Sequence, residues 1–400
     1  MNLETPRKFR AFVEQSYQVA ANFFRPISRK YDLAEHTYPV ELDMLASLME
    51  GMNEAGGTEV GAGQLRRESG GESGVRNGSN MATVLGLTEL CWGDVGLALT
   101  IPRQGLGNSA ISAVATDDQR KRFAGKWASM AITEPEAGSD SAAIRTTARQ
   151  DGDHWVLNGQ KIYVTAGERC DAVVVWATLD PKLGRAAIKS FVVEKGTPGM
   201  TVVGLEKKLG IRASDTATIA FEECRIPRDN ILGSPEIDTE KSFAGVMQTF
   251  DNTRPVVAAM AIGVARASLD LTRELLAKEG VEARYESAAF NQSAAGAELL
   301  RMEAELEAAR LLTLRAAWMA DNGKPNSMEA SMAKAKAGRV ANAITLRCVE
   351  LCGSAGYAER ELLEKWARDS KILDIFEGTQ QIQLLVVSRR LLGKSSSELR

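Results

Sequence analysis

His154–Thr165, HWVLNGQKIYVT, reads as two β-rich runs joined by Asn158-Gly159, and that reading decides the class of the middle of the chain. Asn-Gly is the dipeptide a two-residue hairpin prefers, because both central positions take positive φ. Three more β-rich runs follow, DAVVVWATLD (171–180), AAIKSFVVEKG (186–196) and TATIAFEECRIP (216–227), each bounded by turn residues. No helix-length pattern separates them, so the stretch is predicted as a small antiparallel β domain and not a βαβ fold. His154, in DGDHWV, reads as a hairpin residue.

Both flanks are helical. Phe9, Phe12, Val13, Tyr17 and Val19 recur near helical spacing, which predicts an amphipathic helix over 7–30. A second helix is expected after Tyr38-Pro39. Residues 51–79 are crowded with Gly, Ser and charge and read as a long mobile loop. Helix returns over 80–126, broken at Pro102. Beyond the strands, Pro255 is expected in the first turn of a helix running through VVAAMAIGVARASLDLTRELL. Leu299, Met302, Leu306 and Ala309 step by three and four, the spacing of a bundle helix. The fold class is therefore α+β and multidomain: an N-terminal helical domain over 1–127, a middle antiparallel β domain over 128–240 and a C-terminal helical bundle over 241–400.

An apolar fraction of 44% with 25% charged residues is ordinary for a soluble protein. A net charge of −3 leaves no basic footprint for nucleic acid. The five cysteines form no CxxC pair or zinc spacing, and with two histidines no histidine-rich metal site is expected. Cys348 and Cys352 lie four apart on an expected helix and read as core-facing. The first residues carry no signal-like apolar core, and no run reaches 18 apolar residues, so no membrane span is expected and the default location is cytoplasmic.

Lys371–Gln381, KILDIFEGTQQ, places the carboxylate of Glu377 beside Phe376 and before Gly378, at a helix entrance between two apolar segments. Thr379 is a fair N-cap and Gly393 a fair stop for the helix IQLLVVSRRLLG. Burial there would raise the carboxyl pKa and make Glu377 a usable general base. Met130–Ala143, MAITEPEAGSDSAA, forms a polar loop entering the β domain, with backbone N–H groups that suit flavin carbonyls or phosphates; an ordinary acidic turn reads equally well. Gly105-Leu-Gly107-Asn-Ser-Ala110 fits GxGxxA, but Pro102 and a helical pattern precede it where a dinucleotide site needs a strand.

TEPEAGSD, NGQKIYVTAG, KLGIRASDT, FDNTRPVVAA and ARDSKILDIFEGTQQIQ, in that order, resemble the acyl-CoA dehydrogenase family over nearly the whole chain, least before residue 80. The resemblance implies FAD as cofactor and a C-terminal four-helix bundle. It implies that Met130, Ile132, Thr133 and Ser139 approach the flavin, with Ser139 also near the acyl-CoA. Tyr163, Val164 and Thr165 match the segment packing on the flavin, where the family usually has Trp at the first position. Asp251 and Arg254 match substrate contacts. Glu350, Gly353 and Ser354 match a segment that holds the adenine half of FAD from a neighbouring subunit, and Thr379 and Gln381 match FAD contacts beside the base.

Glu377 matches the family's catalytic base; members that carry the base just before the FDNTR arginine would have it at Thr253. The implied reaction is α,β-dehydrogenation of an acyl-CoA thioester to the trans-2-enoyl-CoA, with the β-hydrogen leaving as hydride to flavin N5, as in fatty acid β-oxidation. Electron-transferring flavoprotein is the implied acceptor and a homotetramer or homodimer the implied assembly. One segment departs. In LAKEGVEARYESAAFNQSAAG (276–296), Glu282, Tyr285 and Glu286 stand where the family has Arg and Phe-Gly, with Arg284 and Gln292 as substitutes. That departure keeps a hetero-oligomeric subunit with weak FAD binding open, beside an oxygen-using acyl-CoA oxidase or flavin monooxygenase relative.

Overall fold

The computed structural model describes residues 4–54, 76–102, 105–237, 244–395 and 398, with residues 48–54, 244–252 and 289 described through their backbone only. The N-terminal helices are α1 (Arg10–Val19), α2 (Arg25–Leu33), α3 (Glu41–Glu54), α4 (Ser79–Gly93), α5 (Val95–Ala98), α6 (Leu106–Val114) and α7 (Asp117–Arg122). A π-helical turn over Ala20–Phe24 joins α1 to α2. Asp94 interrupts the expected 80–126 helix before Pro102 does: its extended backbone ends α4, and its carboxylate caps α5 by accepting from Leu97 N at 2.8 Å. Helix α3 runs through Glu54, so the expected loop begins later than residue 51; residues 55–75 lie outside the described residues.

The middle of the chain is one seven-stranded sheet: β1 (Ala128–Ala131), β2 (Thr147–Asp151), β3 (His154–Thr165), β4 (Ala172–Thr178), β5 (Ile188–Glu194), β6 (Met200–Leu205) and β7 (Thr216–Pro227). The strand order is β1-β4-β2-β3-β7-β6, with β5 paired to β4. Pairing is antiparallel in β2–β3, β3–β7, β6–β7 and β4–β5. The structure adds two parallel contacts, β1 with β4 from Ala128↔Ala172 to Ala131↔Val175, and β2 with β4 at Thr147↔Thr178.

Asn158-Gly159 is not a hairpin turn. His154–Thr165 is a single strand paired to β7, with register shifts between Leu157 and Gly159 and between Lys161 and Val164. Gly159 takes φ 150°, and a Cβ there would lie 2.7 Å from Thr146 Cα. The glycine serves a bulge and a close strand approach, the other use of glycine within a strand. The actual turn is Gly152-Asp153, where Asp151 pairs with His154, as the reading of His154 anticipated.

The C-terminal helices are α8 (Ala244–Lys278), α9 (Ala294–Asp321), α10 (Ser327–Tyr357), α11 (Leu363–Ser370) and α12 (Gln380–Leu392). Helix α8 begins well before Pro255, so that proline lies inside the helix and not in its first turn. No proline or glycine lies between Val246 and Arg254 to end the helix upstream of it. Thr253–Lys278 is apolar and long enough to cross a membrane, but its most apolar window is 78% buried, because α8 is the core helix packed against α4, α9 and α10. Leu299, Met302 and Ala309 are buried, with Leu306 packed against them. Cys348 is buried and Cys352 half-buried.

One buried lysine ties the three parts together. Lys365 Nζ on α11 donates to Asp94 at 2.7 Å and to Asp369 at 2.5 Å, and Asp369 Oδ1 accepts from Ile211 N, in the segment between β6 and β7, at 2.5 Å. Gly210 fits because a Cβ would meet the Arg368 backbone at 2.5 Å. The stretches KLGIRASDT and ARDSK therefore meet as a joint between domains.

Candidate active site

Glu377 sits in the turn between a 3-10 segment (Lys371–Asp374) and α12. Its backbone is left-handed at φ 56°, and Gly378 follows at φ 92°. Glycine takes such a conformation freely, whereas a residue with a Cβ does so at a cost of order 1–2 kcal/mol. The strained residue is the carboxylate itself, a pattern associated with functional positions. Thr379 caps α12, its Oγ1 accepting from Ile382 N at 3.4 Å, and Gly393 ends the helix at φ 63°.

The Glu377 side chain is half-buried but densely surrounded by protein. That desolvation raises its pKa above the usual carboxylate value, against opposing pulls from Thr253, Arg254 and Lys334. Its Oε2 accepts from Thr253 Oγ1 at 2.9 Å, so the two positions considered for a base are in direct contact. Arg254 is buried and its Nη1 donates to Ser331 Oγ at 3.3 Å. Asp251 is on the same helix, with its side chain outside the described residues.

Two buried side chains hold the turn from behind. Gln383 Nε2 donates to the carbonyls of Glu377 and Gly378, each at 3.0 Å. Lys334 Nζ donates to the Gly378 carbonyl at 2.6 Å. Neither residue was singled out from sequence. The available signal was a lysine on the buried stripe of α10, in step with Ala330, Ala337 and Ala341.

In the β domain, Met130, Ile132 and Thr133 are half-buried and Ser139 is exposed. The loop is anchored by a second unforeseen pair. Lys161 Nζ donates to Ile132 O at 3.0 Å and to Glu134 Oε1 at 2.7 Å, and Glu134 also accepts from Thr146 N, Thr146 Oγ1 and Arg145 N. Burial would raise the Glu134 pKa, but Lys161 and these donors outweigh it and hold it below the usual value. Ile162 N donates to Thr133 O at 2.9 Å. Next to it Tyr163 takes φ 58° and is 61% exposed, while Val164 is buried and Thr165 half-buried.

The structure does not bring Glu350, Gly353 and Ser354 to Glu377. They are exposed at the far end of α10, where Gly353 breaks the helix at φ 54°. Glu350 lies about 24 Å along the helix axis from Lys334, at 1.5 Å per residue. Thr379 adjoins Glu377, and Gln381 is exposed on α12. In the 276–296 segment, Gln292 Oε1 accepts from Arg284 N at 3.0 Å and its Nε2 donates to Ser287 O at 3.2 Å, so Arg284 and Gln292 close the loop on itself.

An exposed aromatic beside an open threonine hydroxyl suits a planar heteroaromatic cofactor. Among the described residues, Thr133 Oγ1 makes no hydrogen bond, and the Tyr163 ring has no aromatic partner. The helical, β and helical order, this β-domain surface and the raised Glu377 carboxyl agree with the class of flavoprotein oxidoreductases, to which the comparisons with known proteins assign the chain. Models of the acyl-CoA dehydrogenase N-terminal, middle and C-terminal domains match residues 6–131, 129–224 and 243–392. The chain belongs to the acyl-CoA dehydrogenase family, whose members are FAD-dependent.

The short-chain specific acyl-CoA dehydrogenase of Bos taurus mitochondria is 41% identical over 298 residues, 70% of this chain and 68% of that protein. The Mus musculus counterpart is matched over 62% of its length. Butyryl-CoA dehydrogenase from Megasphaera elsdenii has the same fold at TM-score 0.83 and 29% identity, over 98% of this chain and 100% of that one. A chain from the structure of the electron transferring flavoprotein of Acidaminococcus fermentans also matches at TM-score 0.83, with 31% identity over 98% and 100%.

Proposed function

We propose that this protein dehydrogenates a short-chain acyl-CoA thioester to the trans-2-enoyl-CoA, with Glu377 as the base that removes the α-proton. The observation that carries the reading is Glu377 itself: a carboxylate in a left-handed turn, desolvated, with its pKa raised and one oxygen held by Thr253. Raising the base toward neutrality narrows the gap to a weakly acidic α-proton. The short-chain preference is motivated by the bovine and Megasphaera relatives.

FAD, when bound, supplies the acceptor for the β-hydrogen, which leaves as hydride. Met130, Ile132, Thr133, Ser139, Tyr163, Val164, Thr165, Thr379 and Gln381 would hold it from this chain. Glu350, Gly353 and Ser354 are too far along α10 to serve the same cofactor and would serve that of a neighbouring subunit. Arg254, with Asp251 and Ser139, would face the acyl-CoA. Thr253 orients the carboxylate so that its other oxygen, Oε1, is left for the substrate. Electron-transferring flavoprotein is the acceptor consistent with this reading.

The test is an anaerobic visible spectrum of the FAD-loaded protein before and after a panel of acyl-CoAs of increasing chain length. Bleaching of the flavin band is expected, fastest with the short straight chains. E377Q should retain FAD and lose reduction by about 10⁴-fold or more, the scale expected on losing a catalytic proton acceptor. Normal reduction in E377Q would remove Glu377 from the role.

A further inference from the structure

Lys334 is fully buried on α10, with an ammonium that makes no ion pair among the described residues. Its one recorded acceptor is the Gly378 carbonyl, at 2.6 Å. A buried ammonium without a carboxylate at contact distance costs several kcal/mol, and Met would fill the same space without that cost. The charge therefore serves something other than packing.

The surroundings show what it faces. Asp374, from the 3-10 segment, and Glu377 are the anions acting on it, and Arg254 on α8 is the cation. From α12, Gln383 shares the Gly378 carbonyl with it. Thr253, also on α8, reaches the Glu377 carboxylate. On α10 itself the buried residues one turn away are Ala330, Ser331, Ala337 and Gly338, none of them charged.

We propose that Lys334 is a positioning residue for the base: it pins the left-handed Glu377–Gly378 turn through the Gly378 carbonyl, and its charge, added to that of Arg254, favours the ionised Glu377 carboxylate inside a water-poor site. The proposal rests on Glu377 being the base. The two functions are physically separable. The hydrogen bond fixes where the carboxylate points, because a backbone with two successive positive φ values has no helix or strand ladder to hold it. The charge offsets desolvation, which by itself favours the protonated, useless form of the carboxyl group. Gln383 shares the first function and lacks the second. Burial lowers the Lys334 pKa to about 8, so the ammonium is the major form below that pH and is lost above it.

The experiment uses the full-length, FAD-loaded protein with butyryl-CoA as probe, and follows single-turnover flavin reduction between about pH 5.5 and about pH 9. K334M should move the acid limb of the rate upward by about one pH unit, equivalent to ~1.4 kcal/mol of lost charge interaction. K334Q, which keeps an N–H donor for the Gly378 carbonyl, should show the same shift with the turn retained. Q383L should slow reduction at every pH without moving the limb. In the FAD-free protein, the infrared band of the protonated Glu377 carboxyl, assigned by its loss in E377Q, should titrate higher in K334Q. An acid limb and infrared titration in K334Q that superimpose on wild type would overturn the proposal while leaving the base in place. Undiminished reduction in E377Q would overturn both.

Discussion

Lys161→Met tests how the loop that carries Thr133 is held. Lys161 and Glu134 are 0% and 7% exposed and pair at 2.7 Å. Removing one partner of a buried pair typically costs ~3–5 kcal/mol, because the other charge is left uncompensated. Glu134 would keep three donors, Thr146 N, Thr146 Oγ1 and Arg145 N, which places the loss at the lower end of that range. Ile132 O would also lose its lysine donor, worth ~1 kcal/mol. We therefore expect K161M to lose about 3–4 kcal/mol. The double variant E134Q/K161M removes both charges and should recover most of that loss.

Urea unfolding followed by tryptophan fluorescence measures this, since Trp127, Trp155 and Trp176 all lie in the β domain. FAD affinity, measured by flavin fluorescence, should fall by about tenfold in K161M as the loop loosens, equivalent to ~1.4 kcal/mol. A loss below about 1 kcal/mol in K161M, or a double variant no more stable than the single, would refute the reasoning. The pH dependence has a definite sign. Glu134 has a folded pKa below its ordinary 4.5, so its contribution is present above pH 4.5 and is lost as pH falls through the lower folded value. E134Q should lack that acid limb.

Two further outcomes follow from the same geometry. Gly378→Ala would force a Cβ to within 2.5 Å of Gln383 Nε2 at φ 92°, so a loss of ~1–3 kcal/mol in thermal or urea stability and a ~100-fold slower flavin reduction are expected. Tyr163→Ala alters a residue that is 61% exposed, so the FAD-free protein should change by less than ~1 kcal/mol while FAD binding, read by fluorescence titration, weakens about tenfold or more.

Much of this protein is legible locally. The 3.6-residue spacing marked the bundle helices, and turn-bounded β-rich runs marked β3, β4, β5 and β7 but not the short β1, β2 and β6, because a pattern reports a buried face only when the run is long enough to show it. Thr379 as cap, Gly393 as stop and Gly378 as a turn residue follow from backbone chemistry within a few positions. Glu377 stood out because it sits beside an aromatic ring and a turn glycine at a helix entrance, between two apolar segments. What failed was whatever a partner strand or helix decides. Asn158-Gly159 has hairpin chemistry, yet pairing with β7 and the close approach of Thr146 made it a bulge. Pro255 looked like a helix start, yet α8 continues upstream of it.

The buried charges divide the same way. Lys161, Lys334 and Lys365 were not singled out along the chain, and nothing nearby in sequence marks Glu134, Gly378 O or Asp94 as their partners. Their roles depend on atoms brought together from 27 to 271 residues away, so only packing could assign them. The sequence alone determined the order of helical, β and helical parts and the one carboxylate worth watching. Tertiary structure decided how that carboxylate is bent, desolvated and held, because burial and Coulomb interaction act through space and not along the chain.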